Sequence, residues 1–168
     1  MVNKEIIWDA LNFSSLILGL GDKCVITFED EKYFPTLDVT ASTTNDKIIH
    51  LNKKWLELCD DRLSLYSVIF HESRHVYQMD CINNNNEEDN TILALWKNEL
   101  EEYIEPGKHQ YLKQHIEIDA IAYTYFLMEK MFGVKTVIPD LIKKEALIRY
   151  EEIKKKLSAK IDSLFKQK

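Results

Sequence analysis

Glycine and proline are scarce in this 168-residue chain, four and three residues respectively, which leaves little material for flexible linkers or a second domain boundary. Cysteine is scarcer than a disulfide scaffold requires. Cys24, Cys59 and Cys81 are odd in number, widely spaced and without a CxxC pair, so they read as reduced thiols of a cytoplasmic protein. Long apolar runs are also missing: the best one near the N-terminus, Leu16 to Leu20, is too short for a signal peptide or a membrane span. An excess of basic residues is absent too, since the formal charge is −6 and the pI is near 5.4. That balance argues against nucleic acid as a ligand and favours a protein or peptide partner.

What is present is a hydrophobic fraction of 45%, enough for one domain built on one core, spanning 1–168. Ile6, Ile7, Ala10, Phe13, Ile17 and Leu20 fall near helical spacing, and "GLGD" ends that helix. Three short β-prone segments follow: "CVITFE" at 24–29, "TLDVTAS" at 36–42 and "KIIHL" at 47–51, the last two joined by a turn-like "TTND". Helical signals dominate from Lys53 onward, with Leu63, Tyr66, Phe70 and Tyr77 on one stripe of a helix over about 62–79. The polar run "CINNNNEEDN" at 81–90 reads as a surface loop, either a plain connection or a lid. Helices are expected at about 91–104, 109–132 and 140–166. The segment 139–168 holds nine Lys/Arg against five Asp/Glu, and Ala146, Tyr150, Ile153, Leu157, Ile161 and Leu164 form its apolar stripe. Such a stripe usually packs on its own core; docking on an acidic partner or pairing between subunits is the other use.

The stretch "HESRH" at 71–75 carries the chemistry. Residues four apart on a helix stand one above the other, so His71 and His75 can direct their imidazoles at one metal ion, while Glu72 reaches a water beside it as a general base. A catalytic zinc takes a third protein ligand, and "QHIEIDAIAYTYF" at 114–126 supplies two candidates, His115 and Glu117. They are two positions apart, so only one can face the metal. His115 would share a face with Asp119 as its orienting carboxylate, and Glu117 a face with Ile121 and Thr124. Gln78, three residues after His75, can give a hydrogen bond behind the ligands. Arg74 points away from them and reads as a salt-bridge partner for a neighbouring helix.

"HESRH" followed by "EIDAIAYTYF" resembles gluzincin metallopeptidases of the ImmA/IrrE-like and minigluzincin types, over roughly 47–132. Matching on Ala120, the resemblance implies Glu117 as third ligand and Asp119 as its accompanying acid. It departs from the family at Ile121, where an Asn or Asp is frequent; matching Asp119 to that position instead moves the ligand role to His115. It implies an α+β, zincin-like minimal core: N-terminal helix, small twisted sheet, HExxH helix and ligand helix, here with added helices including a C-terminal one. Strand 47–51 would be the sheet edge beside the cleft, where a substrate backbone pairs. The implied activity is peptide-bond hydrolysis with zinc (Zn2+) held by His71, His75 and Glu117, and with Glu72 as base. Tyr103, His109, Tyr111 and Tyr123 are candidates for stabilising an oxyanion. A zinc peptidase acting on a single regulatory protein is one expected function; a non-enzymatic binding module using the metal structurally is the other.

Overall fold

A computed structural model of the chain describes residues 4–36, 38–84 and 88–166. It is mixed α+β, mostly helical with one three-stranded sheet. Helix α1 (Lys4–Leu18) buries Ile6, Ile7, Ala10, Leu11, Ile17 and Leu18. It stops at Gly19, whose φ of 71° lies in the left-handed region that glycine enters without strain. The strands are β1 (Val25–Glu29), β2 (Ala41–Thr43) and β3 (Ile48–Asn52), in the order β1-β3-β2. β1 runs parallel to β3, with Val25 opposite Ile48, and β2 forms the expected hairpin with β3, with Ala41 opposite Leu51. The edge beside the cleft is therefore β2 and not, as the sequence led us to expect, the strand at 47–51, which lies in the middle. β2 is also much shorter than the stretch 36–42, of which residue 37 lies outside the described residues.

The sheet's inner face places Ile26, Ile49, Leu51 and Ala41 in the main core. On the outer face His50 bonds Thr27 through Nδ1 and stacks on the Tyr33 ring. Asn52 ends β3 and caps the short helix α2 (Lys53–Leu58) by accepting from the N–H groups of Lys54 and Trp55.

Helix α3 (Arg62–Asn84) runs through the molecule, packed by α1, by the sheet, and by α4 (Asn90–Glu101) and α5 (His115–Phe132). From Glu72 to Cys81 every residue is buried, so this half of the helix has no solvent face and the single apolar stripe expected there does not describe it. It can be polar inside because its side chains are paired: no buried side-chain N or O among the described residues lacks a hydrogen bond. The helix also outruns its expected end. Asp80 is clamped by Lys23 at 2.8 Å and Lys47 at 2.7 Å, and Asn84 bonds back to it, so residues 81–84 of the expected loop are helical. Residues 85–87 of that loop lie outside the described residues, and Asp89 caps α4.

The expected helix at 109–132 begins later, at His115. Gln114 is extended, with ψ 135°, and its side chain holds Ile104 from both sides, accepting from its N–H at 2.9 Å and donating to its carbonyl at 3.0 Å. α5 ends at Gly133, in the left-handed conformation with its N–H on Glu129. Helix α6 (Lys143–Lys166) packs on α5 and α1 and buries Ala146, Arg149, Tyr150, Ile153 and Ile161, with Leu157 and Leu164 half-buried against the same core. Its apolar stripe faces this chain's own interior. No helix among the described residues is long and apolar enough to cross a membrane.

Candidate metal centre

α3 and α5 cross so that His71, His75 and Glu117 meet. The His75 and His71 Nε2 atoms are 3.1 Å apart, His71 Nε2 is 3.4 Å from Glu117 Oε2, and His75 Nε2 is 3.6 Å from Glu117 Oε1. A four-coordinate zinc with bonds of about 2.0–2.1 Å separates its donor atoms by roughly 3.3 Å, so the triangle fits such an ion without rearrangement. No other group of three His, Cys, Asp or Glu side chains among the described residues converges in this way. His115, the alternative ligand, is not brought to this group. It sits outside with its side chain 57% exposed, paired with Glu99 at 2.7 Å.

Glu117 is fully buried, and each carboxylate oxygen takes a phenol: Tyr103 donates to Oε1 at 2.6 Å and Tyr111 to Oε2 at 2.9 Å. Burial by itself would raise the carboxyl, but His75, His71 and the Tyr103 hydroxyl outweigh it and hold Glu117 at about 2. Burial pulls the His71 imidazole down, and the Glu117 anion more than reverses this, so His71 lies above its ordinary value. Burial, then the Glu117 charge, pushes both phenols up and keeps them as donors. Of the other two oxyanion candidates, Tyr123 is buried and bonded to Ser14 at 2.9 Å, and His109 is on the surface.

Behind His75 the order of donors is fixed. The Gln78 amide nitrogen faces two acceptors, the Ile116 carbonyl at 2.8 Å and Asp119 Oδ2 at 2.7 Å, so its oxygen is what faces His75 Nδ1 at 2.8 Å. With the Gln78 oxygen as its partner, Nδ1 is the ring nitrogen that carries a proton, so in the neutral imidazole Nε2 is the one left to bind a metal. Asp119 thus touches Gln78 and not a ligand, one step further back than the sequence placed it. Arg74 makes the expected salt bridge to a neighbouring helix: its Nε and Nη2 donate to Asp119 at 2.7 and 3.1 Å.

Burial also works against the Asp119 carboxylate, but Arg74 and Arg149 prevail and lower it from 3.8 to about 2. Since the unfolded chain binds this proton more readily, the stabilisation is complete above the unfolded value and disappears as pH falls through the folded one. Asp119 alone should contribute roughly 2 kcal/mol by that linkage. The urea midpoint is expected to drop between about pH 5 and pH 2.5; a constant midpoint over that window would contradict a buried charge here.

Glu72 lies on the cleft side of α3. The Thr43 hydroxyl of β2 donates to its Oε2 at 2.7 Å, and Glu72 lines the cleft. Two cavities meet at Glu72. One, of about 500 Å³, is lined by Ser67, Val68, His71, Ile121, Thr124 and Val137, and the other, of about 310 Å³, by His75, Met79, Leu100, Tyr103 and Ile116; Val39, Ala41, Pro106 and Tyr111 border both. Sequence reasoning did not find Thr43, and nothing local marks it. It also passed over Arg149: a place three residues after Ala146 marks it as enclosed, but nothing in the sequence says which acid it meets.

Comparison with family models, with curated proteins and with solved structures gives no match to the chain.

Proposed function

We propose that the chain is a cytoplasmic, zinc-dependent peptidase of gluzincin type, with a zincin-like core and a protein or peptide substrate. The observation that carries this reading is the meeting of three metal-competent donors with a carboxylate, Glu72, held one hydrogen bond from the edge of a sheet and open to the same cleft. Zinc held by His71, His75 and Glu117 would polarise a scissile carbonyl and lower the pKa of a water at the site toward neutrality. Glu72 accepts the proton of that water through Oε1 and passes it to the departing amine, while Thr43 keeps the other oxygen in place. Tyr103 and Tyr111 border the cleft but each commits its one hydroxyl proton to Glu117, so their role in this reading is to hold that carboxylate in place. β2 pairs with β3 on one side only among the described residues, so its other edge can take an extended peptide backbone, which favours a peptide over a small-molecule substrate. Cys24, Cys59 and Cys81 form no disulfide among the described residues, as suits a reducing compartment.

The test is metal analysis joined to proteolysis. The purified chain is expected to take up about one zinc, to cleave candidate partner proteins or unfolded substrate, to lose cleavage in a chelator and to regain it with added zinc. A folded chain that takes up no zinc would overturn the reading. Tight binding of an uncleaved partner, indifferent to the chelator, would replace it with the binding-module function.

A further inference from the structure

The hydrogen bonds behind His75 do not stop at Asp119. Arg149, on α6, is 8% exposed and donates through Nε to Asp119 Oδ1 at 2.6 Å. Its other two nitrogens go to Glu152 at 2.7 Å and to Glu88 at 3.2 Å. His75, Gln78, Asp119 and Arg149 therefore form one chain of hydrogen bonds across α3, α5 and α6.

The weak link in that chain is the amide of Gln78. Turned by half a rotation, it would present N–H to His75 Nδ1, which would force the imidazole into the tautomer with its proton on Nε2 and deprive the metal site of a lone pair. A turned amide would also aim its oxygen at the Asp119 carboxylate oxygen that now accepts from it at 2.7 Å, and that clash of acceptors opposes the turn as long as Asp119 is held in place. Arg74, which like Gln78 belongs to α3, gives Oδ1 a bond of 3.1 Å and so ties Asp119 to that one helix. Arg149 gives Oδ1 its short bond and ties it to a third helix. Resting on the reading of His71, His75 and Glu117 as a metal site, we propose that Arg149 is a positioning residue for the ligand His75, acting through Asp119 and Gln78.

Two readouts test this. Zinc affinity is measured by competition with a chelating indicator for wild type, Arg149→Met, Gln78→Met and the double variant, and the His75 tautomer is read in the zinc-free proteins by long-range ¹H–¹⁵N NMR. Gln78→Met is expected to weaken zinc about 10–100-fold and Arg149→Met about tenfold, the range for partners that orient a ligand. The double variant should be no weaker than Gln78→Met, since the effect of Arg149 passes through Gln78. In Arg149→Met the His75 proton should be shared between Nδ1 and Nε2, a change that general loss of stability would not produce. Glu152→Ala, which removes a half-exposed partner of the same guanidinium, should leave zinc affinity unchanged. Should Arg149→Met not fold, Arg149→Lys takes its place: an ammonium lacks the forked geometry, and a several-fold loss that vanishes beside Gln78→Met is expected. Unchanged zinc affinity and tautomer in a folded Arg149 variant, or a loss that persists in full beside Gln78→Met, overturns the proposal while leaving the metal site standing. A wild-type chain that takes up no zinc overturns both.

Discussion

Glu72→Gln is expected to take up zinc as the wild type does and to hydrolyse peptide bonds about 10²–10⁴-fold more slowly, the range for losing a positioned general base. The amide has nearly the shape of the carboxylate, and its oxygen can still accept from Thr43, so α3 and the cleft should be undisturbed. What it cannot do is take a proton from water. The measurement pairs initial cleavage rates with zinc content, on candidate partner proteins as well as unfolded substrate, because a dedicated peptidase can ignore the latter. Equal rates for the variant and wild type would remove Glu72 from the mechanism. A module that uses its metal structurally would not respond to this change at all.

Glu117→Ala should abolish zinc uptake, and His115→Ala should leave it intact. The carboxylate at 117 is 3.4 and 3.6 Å from the two imidazole nitrogens, whereas His115 faces solvent and Glu99. A ligand that binds only the folded chain stabilises it by about 2.7 kcal/mol at a hundred times its Kd, so zinc should raise the Tm of wild type and of His115→Ala but not of Glu117→Ala. Calorimetric scans with and without zinc decide the matter. A zinc-dependent rise that survives in Glu117→Ala and disappears in His115→Ala would move the ligand role to His115.

These two residues show which parts of the site can be read from a chain. The pairing of His71 with His75 is local, set by one helical turn, and the choice between 115 and 117 is a matter of helix phase once one family motif is matched. Gln78 is legible for the same reason. Thr43 and Arg149 are not, since each reaches the site only through the packing of elements far apart in sequence: 29 residues separate Thr43 from Glu72 and 30 separate Arg149 from Asp119. The fold divides along the same line. The N-terminal helix, the hairpin and the C-terminal helix followed from periodicity and turn residues. The polar half of α3 did not, because periodicity assumes a water-facing side and this helix is enclosed, its polar groups satisfied by partners from other elements. The late start of α5 was hidden for a related reason: nothing in local propensity records that Gln114 will capture the backbone of Ile104.

That capture has an evolutionary corollary. Gln114 staples the two ends of the segment between Ile104 and α5, so the residues inside the staple, which include the cleft-lining Glu105, Pro106 and Gly107, hang from a closed neck. Doubling the length of a loop whose ends are already joined costs only about 0.6 kcal/mol in chain entropy. Insertions near Gly107 can therefore remodel one wall of the cleft while α5 keeps Glu117 where it is. On the proposed reading, such insertions would change which substrates fit, provided that Tyr111, inside the same segment, keeps its bond to Glu117 Oε2.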